Sequence, residues 1–411
     1  MPYNAALDLF TQALALQRAG QIDDCIEKYN ALISLRPDFV EAYNNLGAAL
    51  KDKRLFDDEL KQYQKALSIN PKYADAHNNL GNALNRIGKI DQALQHYEKA
   101  YALDPRSSTC ANNLLAAFIC LGRNDEALSL IQKAVLGIDE DGYSQIVLVA
   151  YCLIVYWLQG KIEECRNLRN THPGLANMQA TVRTAILLRY IRFMYLLCDL
   201  EKPRREEREP IYVVGESHVL PCANTFINFG DKKCIGTPHL VQGVKMWHLA
   251  TDQNNLYKKY LQRRLEKIPS DQNILVTIGE IDCRPDEGIW DVFKKGQRPL
   301  EDIIKDTVSG YVAWLETNLE ANKPASITLQ GIPYPGYALE GSNDPGDKDI
   351  FLGMIAAVNK QLEEEIFQRG WNFLDVYSAT RGNKRWHIDD YHLKPEIYSV
   401  INIKTPATAV A

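Results

Sequence analysis

The chain has 411 residues, which is enough for two or three domains. Hydrophobic residues make up 46% and charged residues 24%, the composition of an ordinary globular protein. A formal net charge of −5 argues against a nucleic-acid-binding surface, because phosphate contacts need clustered lysine and arginine. Nine scattered cysteines without a CxxC pair argue against a zinc ribbon and a disulfide framework, and they favour reduced thiols in a cytoplasm.

The first residues have no basic region and carry polar interruptions, so they do not predict a signal peptide. The most apolar stretch lies near 184–200 and is interrupted by Arg189 and Arg192. It is too short and too charged for a membrane span. We expect a buried helix there instead, with both arginines reaching towards solvent.

A period of 34 residues runs through the first third of the chain, and five columns of residues keep this step. Small residues in one column allow two helices to approach closely, tyrosines fill the space between adjacent repeats, and prolines end the second helix. Three of the columns consist of Pro37, Pro71 and Pro105, of Tyr29, Tyr63 and Tyr97, and of Ala13, Gly47, Gly81 and Leu115.

The segments AYNNLGAAL and KALSINP resemble the tetratricopeptide repeat consensus. The resemblance covers roughly 3–138, and the fourth repeat has Asp139 where the closing proline would stand. Beyond it, 143–170 predicts a degenerate helical pair that turns at Gly160, and 178–200 predicts a helix that caps the stack. The predicted organisation is therefore 1–138 repeats, 139–200 degenerate repeat and cap, 201–209 charged linker, and 210–411 a further domain.

Paired asparagines recur on the first helix of each repeat, the helix that lines the concave groove in this family. Asn45, Asn79 and Asn113 form a ladder of amides that is able to hydrogen-bond an extended peptide backbone. The alternative is that these asparagines only solvate the groove. We expect a protein or peptide partner for the array.

From residue 210 onwards, strand and helix patterns alternate, which predicts a mostly parallel sheet with helices on both faces. The predicted strands are 211–214, 274–278, 326–330 and 372–377, and the predicted helices lie near 252–267, 299–321 and 350–369. About 200 residues suit one compact α/β domain.

Two separated motifs point to nucleophilic chemistry in this half. Gly215-Glu216-Ser217-His218 follows the first strand, where open α/β sheets bind ligands. Asp389 stands three residues before His392 after the last strand, a spacing that lets the carboxylate hold the imidazole while its other nitrogen faces a nucleophile. Taken alone, Ser217 also fits a helix N-cap.

These motifs resemble the first and fifth blocks of the SGNH or GDSL hydrolase superfamily, with Glu216 in place of the usual aspartate. The resemblance covers roughly 210–405 and implies a flavodoxin-like three-layer fold that cleaves acyl or acetyl esters, often of carbohydrates and lipids. It implies Ser217 as the nucleophile, His392 as the general base and then acid, and Asp389 as the residue that orients His392.

The middle blocks of that family, which complete the oxyanion hole, match less well. Gly243 matches the glycine that the family has in this block. Ile281 occupies the position of the family's asparagine, and an isoleucine side chain donates no hydrogen bond. Either another donor substitutes, or activity is weak or absent. The substitute donors that we consider are His218, His248 and Arg284.

Glu280, Asp282 and Arg284 follow a buried strand, where a charge needs a partner or a function. A structural Asp282–Arg284 pair and substrate binding are both open interpretations. His248, beside Trp247, is interpreted as a structural histidine rather than a ligand.

A divalent-metal site is an alternative interpretation that we do not favour, because no HExxH-type pairing supports it. We predict neither a metal nor a cofactor. The α/β-hydrolase elbow is excluded, because it needs glycine where Val219 stands. The residues of the considered metal set are Glu216, His218, His387, Asp389, Asp390 and His392.

The sequence thus predicts a serine ester hydrolase or acyltransferase that acts on an acylated glycan or a small ester, joined to a peptide-binding repeat array. The alternative is a catalytically weak or inactive SGNH-like binding domain on a repeat scaffold. The repeats are also similar to those of protein O-glycosyltransferases. About 200 further residues are too few for the two nucleotide-binding lobes that those enzymes need.

Overall fold

The computed structural model describes residues 2–133, 143–181, 184–200, 208–229, 232–284, 288–296, 298–319, 322–335, 345–389, 392–401 and 403–406. The chain divides into two compact units, Met1–Ala117 with Gln132–Glu140, and Phe118–Ile131 with Asp141–Ala411. The predicted domain boundaries stay a prediction. Asp139 and residues 201–207 of the predicted linker lie outside the described residues.

The first unit is built from consecutive helices that pack as pairs, as the 34-residue period predicts. α1 packs on α2, α3 on α4 and α5 on α6, and α7 continues into the second unit. The helices are α1 Pro2–Arg18, α2 Ile22–Leu35, α3 Val40–Asp52, α4 Phe56–Ile69, α5 Ala74–Arg86, α6 Ile90–Leu103 and α7 Ser108–Leu121.

Glycine on the first helix of a pair lies against tyrosine on the second. A Cβ atom added at Gly81 would lie 2.7 Å from the ring of Tyr97, and one added at Gly47 would lie 2.6 Å from the ring of Tyr63. Each tyrosine therefore packs on the glycine of its own pair, and the expectation that it also fills the space between adjacent repeats stays a prediction. Both tyrosine side chains are buried.

Polar contacts join one pair to the next. Arg86 of α5 forms a salt bridge of 2.6 Å with the buried carboxylate of Glu59 on α4. Because a buried carboxylate without a partner is costly, this ion pair fixes the packing of α4 against α5.

The second unit contains most of α8, the helical pair α9 and α10, and the further helix α11. α8 begins at Asn124 and ends at Lys133, α9 is Tyr143–Leu158, α10 is Ile162–Thr171 and α11 is Ala185–Asp199. Gly160 joins α9 to α10 with a φ of +73°, a left-handed conformation that glycine adopts without steric cost, as the sequence predicts. α11 packs on α9.

A seven-stranded sheet follows, in the order β2-β3-β1-β4-β5-β6-β7. The five central strands are parallel, whereas β2 and β7 run antiparallel to their neighbours at the two edges. The sheet is therefore mixed rather than mostly parallel. The strands are β1 Pro210–Gly215, β2 Phe226–Phe229, β3 Lys232–Leu240, β4 Asn273–Thr277, β5 Ser326–Gln330, β6 Asn372–Leu374 and β7 Ile403–Lys404.

The sequence patterns locate β1, β4, β5 and β6 and miss β2, β3 and β7. β3 contains lysines, Gly236 and Pro238 and has no continuous apolar run, and β7 has only two residues. The helices of this region are α12 Val219–Cys222, α13 Met246–Ala250, α14 Leu256–Leu265, α15 Gly288–Lys294, α16 Leu300–Leu319, α17 Pro345–Phe367 and α18 Val376–Thr380. No helix among the described residues is long and apolar enough to cross a bilayer.

We predict that Gly81→Ala lowers the free energy of unfolding by about 1–3 kcal/mol, because the new methyl group would overlap the buried ring of Tyr97. Gly353→Ala is the matched control on α17, where the added Cβ meets nothing within 4 Å. It should stabilise by about 0.5–1 kcal/mol through helix propensity. Urea denaturation measures both, and equal stabilisation by the two variants would contradict the close approach.

Candidate active site

The turn after β1 carries the predicted nucleophile. Gly215 ends β1 beside Thr277 of β4, and a Cβ atom on Gly215 would lie 2.5 Å from the Thr277 carbonyl oxygen. Only glycine fits this close approach. Ser217 and its two neighbours therefore leave the sheet at the carboxyl edge of the parallel strands, where open α/β sheets bind ligands.

Ser217, His392 and Asp389 form a continuous chain of hydrogen bonds. Ser217 Oγ lies 3.0 Å from His392 Nε2, and His392 Nδ1 donates to Asp389 Oδ2 at 2.8 Å. The backbone N–H of His392 also donates to Asp389 Oδ1 at 2.7 Å, so the carboxylate fixes both the ring and the turn that carries it. The three groups lie within the reach that proton transfer requires.

A second carboxylate–histidine pair meets the same serine. Glu216 Oε2 accepts a hydrogen bond from Ser217 Oγ at 2.6 Å, and Glu216 Oε1 accepts one from His218 Nδ1 at 2.5 Å. Burial alone would raise the pKa of Glu216. The charge and hydrogen bond of His218, the hydrogen bond from Ser217 and the charge of Arg284 outweigh burial and lower that pKa to about 2.

The hydroxyl proton of Ser217 has two neighbouring acceptors and serves one of them at a time. Because Nδ1 of His392 donates to Asp389, Nε2 of the neutral imidazole is an acceptor. Glu216, with a pKa of about 2, is too weak a base to take the proton. Glu216 is therefore a competing acceptor of the Ser217 hydroxyl hydrogen bond, and His392 is the group suited to accept the proton.

An aromatic ring from α11 covers the predicted base. The ring of Phe193 stacks on His392 with centroids 3.7 Å apart and planes 16° from parallel. Phe193 is buried. The imidazole is thus held in its plane by Asp389 and covered on one face by Phe193. Phe193 and His392 are far apart in the chain.

Gly243 and Ile281 line the same cavity as Ser217. Gly243 has a φ of +72°, and a Cβ atom there would meet only the ring of Tyr257. Ile281 begins the 3₁₀ turn Ile281–Cys283 after β4. The two middle-block positions are brought to Ser217, and the side chain at 281 offers no hydrogen-bond donor.

This Ser217 cavity has a volume of about 420 Å³. Its walls come from α9, α11 and α14, from the turns after β1, β3 and β4, and from the loop after β6 that carries His392. The residues that line it are Tyr151, Ile186, Leu187, Arg189, Tyr190, Phe193, Ser217, Gln242, Gly243, Lys245, Tyr257, Ile281, Arg284 and His392.

The charged residues after β4 have different partners from those considered on sequence grounds. Arg284 forms a buried salt bridge with Glu280 at 2.6 Å, not with Asp282. Asp282 instead accepts hydrogen bonds from the backbone N–H groups of Met246 and Trp247, at 2.7 and 3.1 Å, and so caps the N-terminus of α13. Of the three, only Arg284 lines the Ser217 cavity.

The two other histidines near these turns are held within the structure. His218 Nδ1 donates to Glu216, and the role of His218 as an oxyanion donor stays a prediction. His248 stacks on Tyr257 with centroids 3.9 Å apart and accepts the backbone N–H of Lys245. Burial, reinforced by the charge of Lys245, lowers the pKa of His248 to about 4. His248 is therefore a structural histidine, as interpreted.

Within the described part of the chain, no group of three or more histidine, cysteine, aspartate or glutamate side chains is arranged to hold a metal ion. Asp390, a member of the considered metal set, lies outside that part. His387 pairs with Leu393 through an isolated backbone bridge.

The asparagines of the repeats hydrogen-bond to one another across successive first helices. Asn79 donates to Asn44 at 3.0 Å, and Asn113 donates to Asn78 at 2.9 Å. Asn44 donates in turn to Asn45 at 3.3 Å. The amide ladder therefore links the repeats, and its binding of a peptide backbone stays a prediction.

Sequence reasoning misses two contributors to the site. It treats Glu216 as a replacement for aspartate and as a member of the disfavoured metal set, and not as a partner of Ser217, although the position of Glu216 next to Ser217 is an available signal. Phe193 gives no signal, because it lies in a helix predicted to belong to the repeat cap.

Burial raises the pKa of Asp282 to about 7, partly opposed by the two backbone N–H groups and by Lys245. A carboxyl with a raised folded-state pKa contributes stability that is full below its unfolded pKa and is lost as pH rises to about 7. We predict that the free energy of unfolding of the wild type falls, relative to Asp282→Asn, between about pH 4 and pH 7.

Chemical denaturation across this pH range tests the prediction. Asp349→Asn, which removes an exposed carboxylate from α17, is the control. A difference between wild type and Asp282→Asn that stays constant with pH would show that Asp282 does not titrate in this range.

Family models of the tetratricopeptide repeat match residues 74–107 and 40–73, and a TPR repeat model matches 13–53. No curated protein matches the chain. Among solved structures, the pilF protein of Pseudomonas aeruginosa is 15% identical, with 47% of this chain and 86% of that chain covered and a TM-score of 0.38.

A thermophilic TPR protein of Thermus thermophilus is 19% identical, with 47% of this chain and 100% of that chain covered and a TM-score of 0.35. The first TPR of Spaghetti (RPAP3), bound to an HSP90 peptide, is 22% identical, with 30% of this chain and 93% of that chain covered and a TM-score of 0.27. The matching family models and the paired helices agree on one assignment. Residues 13–107 of this chain are tetratricopeptide repeats.

Proposed function

We propose that the α/β part of this protein is a serine ester hydrolase or acyltransferase of SGNH type, in a flavodoxin-like fold, that acts on acyl or acetyl esters. The observation that carries the proposal is the hydrogen-bonded chain from Ser217 through His392 to Asp389, with distances of 3.0 and 2.8 Å. An orienting carboxylate, an imidazole and a serine in this order are the requirements of acyl transfer.

In the proposed reaction Ser217 Oγ attacks the ester carbonyl carbon while His392 Nε2 takes the hydroxyl proton. The tetrahedral intermediate collapses, the bond to the alcohol oxygen breaks, and His392 returns the proton to the leaving alcohol. Water, or a second hydroxyl in a transferase, then attacks the acyl-serine with His392 again as base. The bond between the acyl carbon and Ser217 Oγ breaks, and His392 returns the proton to Ser217 Oγ.

The negative charge of the intermediate needs a donor in place of the side chain at Ile281. Arg284 is suited to that task, because its guanidinium is buried, lines the Ser217 cavity and is oriented by Glu280. The turn at Gly243 lies on the same cavity and supplies a backbone N–H in the SGNH resemblance.

The repeats provide the second part of the proposal. Arrays of this kind present extended surfaces for protein or peptide partners. We propose that a peptide bound along Asn45, Asn79 and Asn113 brings the hydrolase to its substrate. The nine cysteines are buried free thiols, which suits a reducing compartment, so we propose a cytoplasmic location.

Ile281 also favours a second candidate, an SGNH-like domain that binds its ligand without turnover. It differs from the first in predicting no reaction at Ser217.

We predict that a fluorophosphonate probe labels Ser217 and that a 4-methylumbelliferyl ester is hydrolysed. Ser217→Ala and His392→Ala should abolish both, because they remove the nucleophile and its base. Ser378→Ala is the matched control, since Ser378 also donates to a carboxylate, Asp375, but lies on α18 outside the Ser217 cavity. Intact protein mass and released fluorophore are the measurements.

Labelling that persists in Ser217→Ala would contradict the assigned nucleophile. A folded wild type that is neither labelled nor active would favour the non-catalytic candidate.

For Arg284 we predict that Arg284→Met lowers kcat by about 10²–10³ with little change in KM, because the lost charge acts on the transition state. Removing Arg284 alone leaves Glu280 buried without its partner, at a cost of about 3–5 kcal/mol. The double variant Glu280→Gln/Arg284→Met removes both charges and so leaves no unpaired buried carboxylate. Thermal unfolding of this double variant, of Arg284→Met and of the wild type shows which variants are folded. An unchanged kcat in the folded double variant would exclude Arg284 as the donor.

A further inference from the structure

The hydroxyl of Ser217 lies between two acceptors that differ in charge. Glu216 Oε2 is 2.6 Å from Ser217 Oγ on one side, and His392 Nε2 is 3.0 Å from it on the other. Burial disfavours the charged form of Glu216, but the charge and hydrogen bond of His218 outweigh burial, so the pKa is about 2 and the carboxylate is ionised. Nε2 of the neutral His392 ring offers an uncharged lone pair, because Nδ1 donates to Asp389.

The ionised acceptor forms the stronger hydrogen bond. Bonds from a hydroxyl to a carboxylate are about 2.5–2.7 Å long and about twice as strong as bonds between neutral groups. The contact between Ser217 and Glu216 has that length, whereas the distance from Ser217 to His392 is longer. With one proton to donate, the Ser217 hydroxyl therefore favours Glu216 when no ester is bound.

The turn after β1 also fixes the Glu216 carboxylate beside the nucleophile. Glu216 Oε1 accepts from His218 Nδ1 at 2.5 Å, and Oε2 accepts from the backbone N–H of His218 at 3.2 Å. Glu216, Ser217 and His218 are all buried. Because little water competes in a buried site, these hydrogen bonds are stronger there than at the surface.

We propose that Glu216 is a positioning residue that restrains the nucleophile: it holds the hydroxyl proton of Ser217 and keeps it from His392 until an ester is bound. The hydroxyl then rotates about its Cβ–Oγ bond and donates to His392 Nε2 instead. A weaker acceptor at position 216 therefore makes Ser217 more reactive. This effect on the rate rests on the function proposed above, whereas the position of the proton without a bound ester does not.

Neutron crystallography of the wild type after deuterium exchange tests the position of the proton directly. We expect the hydroxyl deuterium of Ser217 to lie between its Oγ and Glu216 Oε2. A deuterium directed at His392 Nε2 would overturn the restraint. This measurement needs neither turnover nor a variant.

Glu216→Gln keeps the size of the side chain and removes its charge. The rate constant for fluorophosphonate labelling of Ser217 should rise about tenfold, because an amide competes less well with His392 for the hydroxyl proton. For the 4-methylumbelliferyl ester, kcat should rise by a similar factor with little change in KM, because the hydroxyl rotates after the ester has bound. Loss of a merely structural contact would slow both reactions.

Glu365→Gln provides the comparison outside the site. Glu365 also accepts a serine hydroxyl, from Ser309 at 2.5 Å, and neither of these residues lines the Ser217 cavity. Its substitution should change neither the labelling rate nor kcat. The pair of variants therefore separates release of the Ser217 hydroxyl from a general loss of negative charge.

Thermal unfolding identifies the folded variants. A folded Glu216→Gln that reacts no faster than the wild type, or an equal acceleration in Glu365→Gln, would overturn the restraint. If neither the wild type nor Glu216→Gln is labelled or active, the proposed reaction is refuted. The neutron map then still decides which acceptor holds the proton.

Discussion

The imidazole of His392 is constrained on three sides, and the geometry of the candidate site follows from that constraint. Asp389 accepts from Nδ1, Phe193 covers one face, and Ser217 lies at Nε2. A ring fixed in this way has one tautomer and one direction in which to accept a proton. The turn after β1 and the loop after β6 must therefore meet at the same edge of the sheet, and parallel central strands provide that meeting point.

Buried charge is the second constraint on this edge. Glu216, Glu280 and Asp282 are all buried, and each has a different solution: a histidine and a serine, an arginine, and the N-terminus of a helix. For Glu216 and Asp282, these different partners lead to different pKa values. Opposing charge and hydrogen bonds keep the pKa of Glu216 at about 2, whereas burial prevails at Asp282 and raises its pKa to about 7. Glu216 and Asp282, two buried carboxyl groups whose charges interact, therefore differ in pKa.

The repeats depend on steric fit rather than on charge. Gly47 and Gly81 leave room for one tyrosine ring each, and the pairs are joined by amide contacts and by the Glu59–Arg86 salt bridge. Packing of this kind repeats from pair to pair, because each pair buries its apolar face only against its neighbours.

The sequence by itself determined the repeats, because the 34-residue period is a local regularity that each repeat displays again, and two of the repeats match a glycine with a tyrosine. It also located four of the seven strands and the Ser217 and Asp389–His392 motifs, whose residues lie within single turns. Only the tertiary structure decided that Tyr97 faces Gly81 of its own pair, that Arg284 pairs with Glu280, and that both edge strands are antiparallel. It alone brought Phe193 onto His392, because a contact between distant segments leaves no periodicity or spacing in one sequence from which it could be deduced.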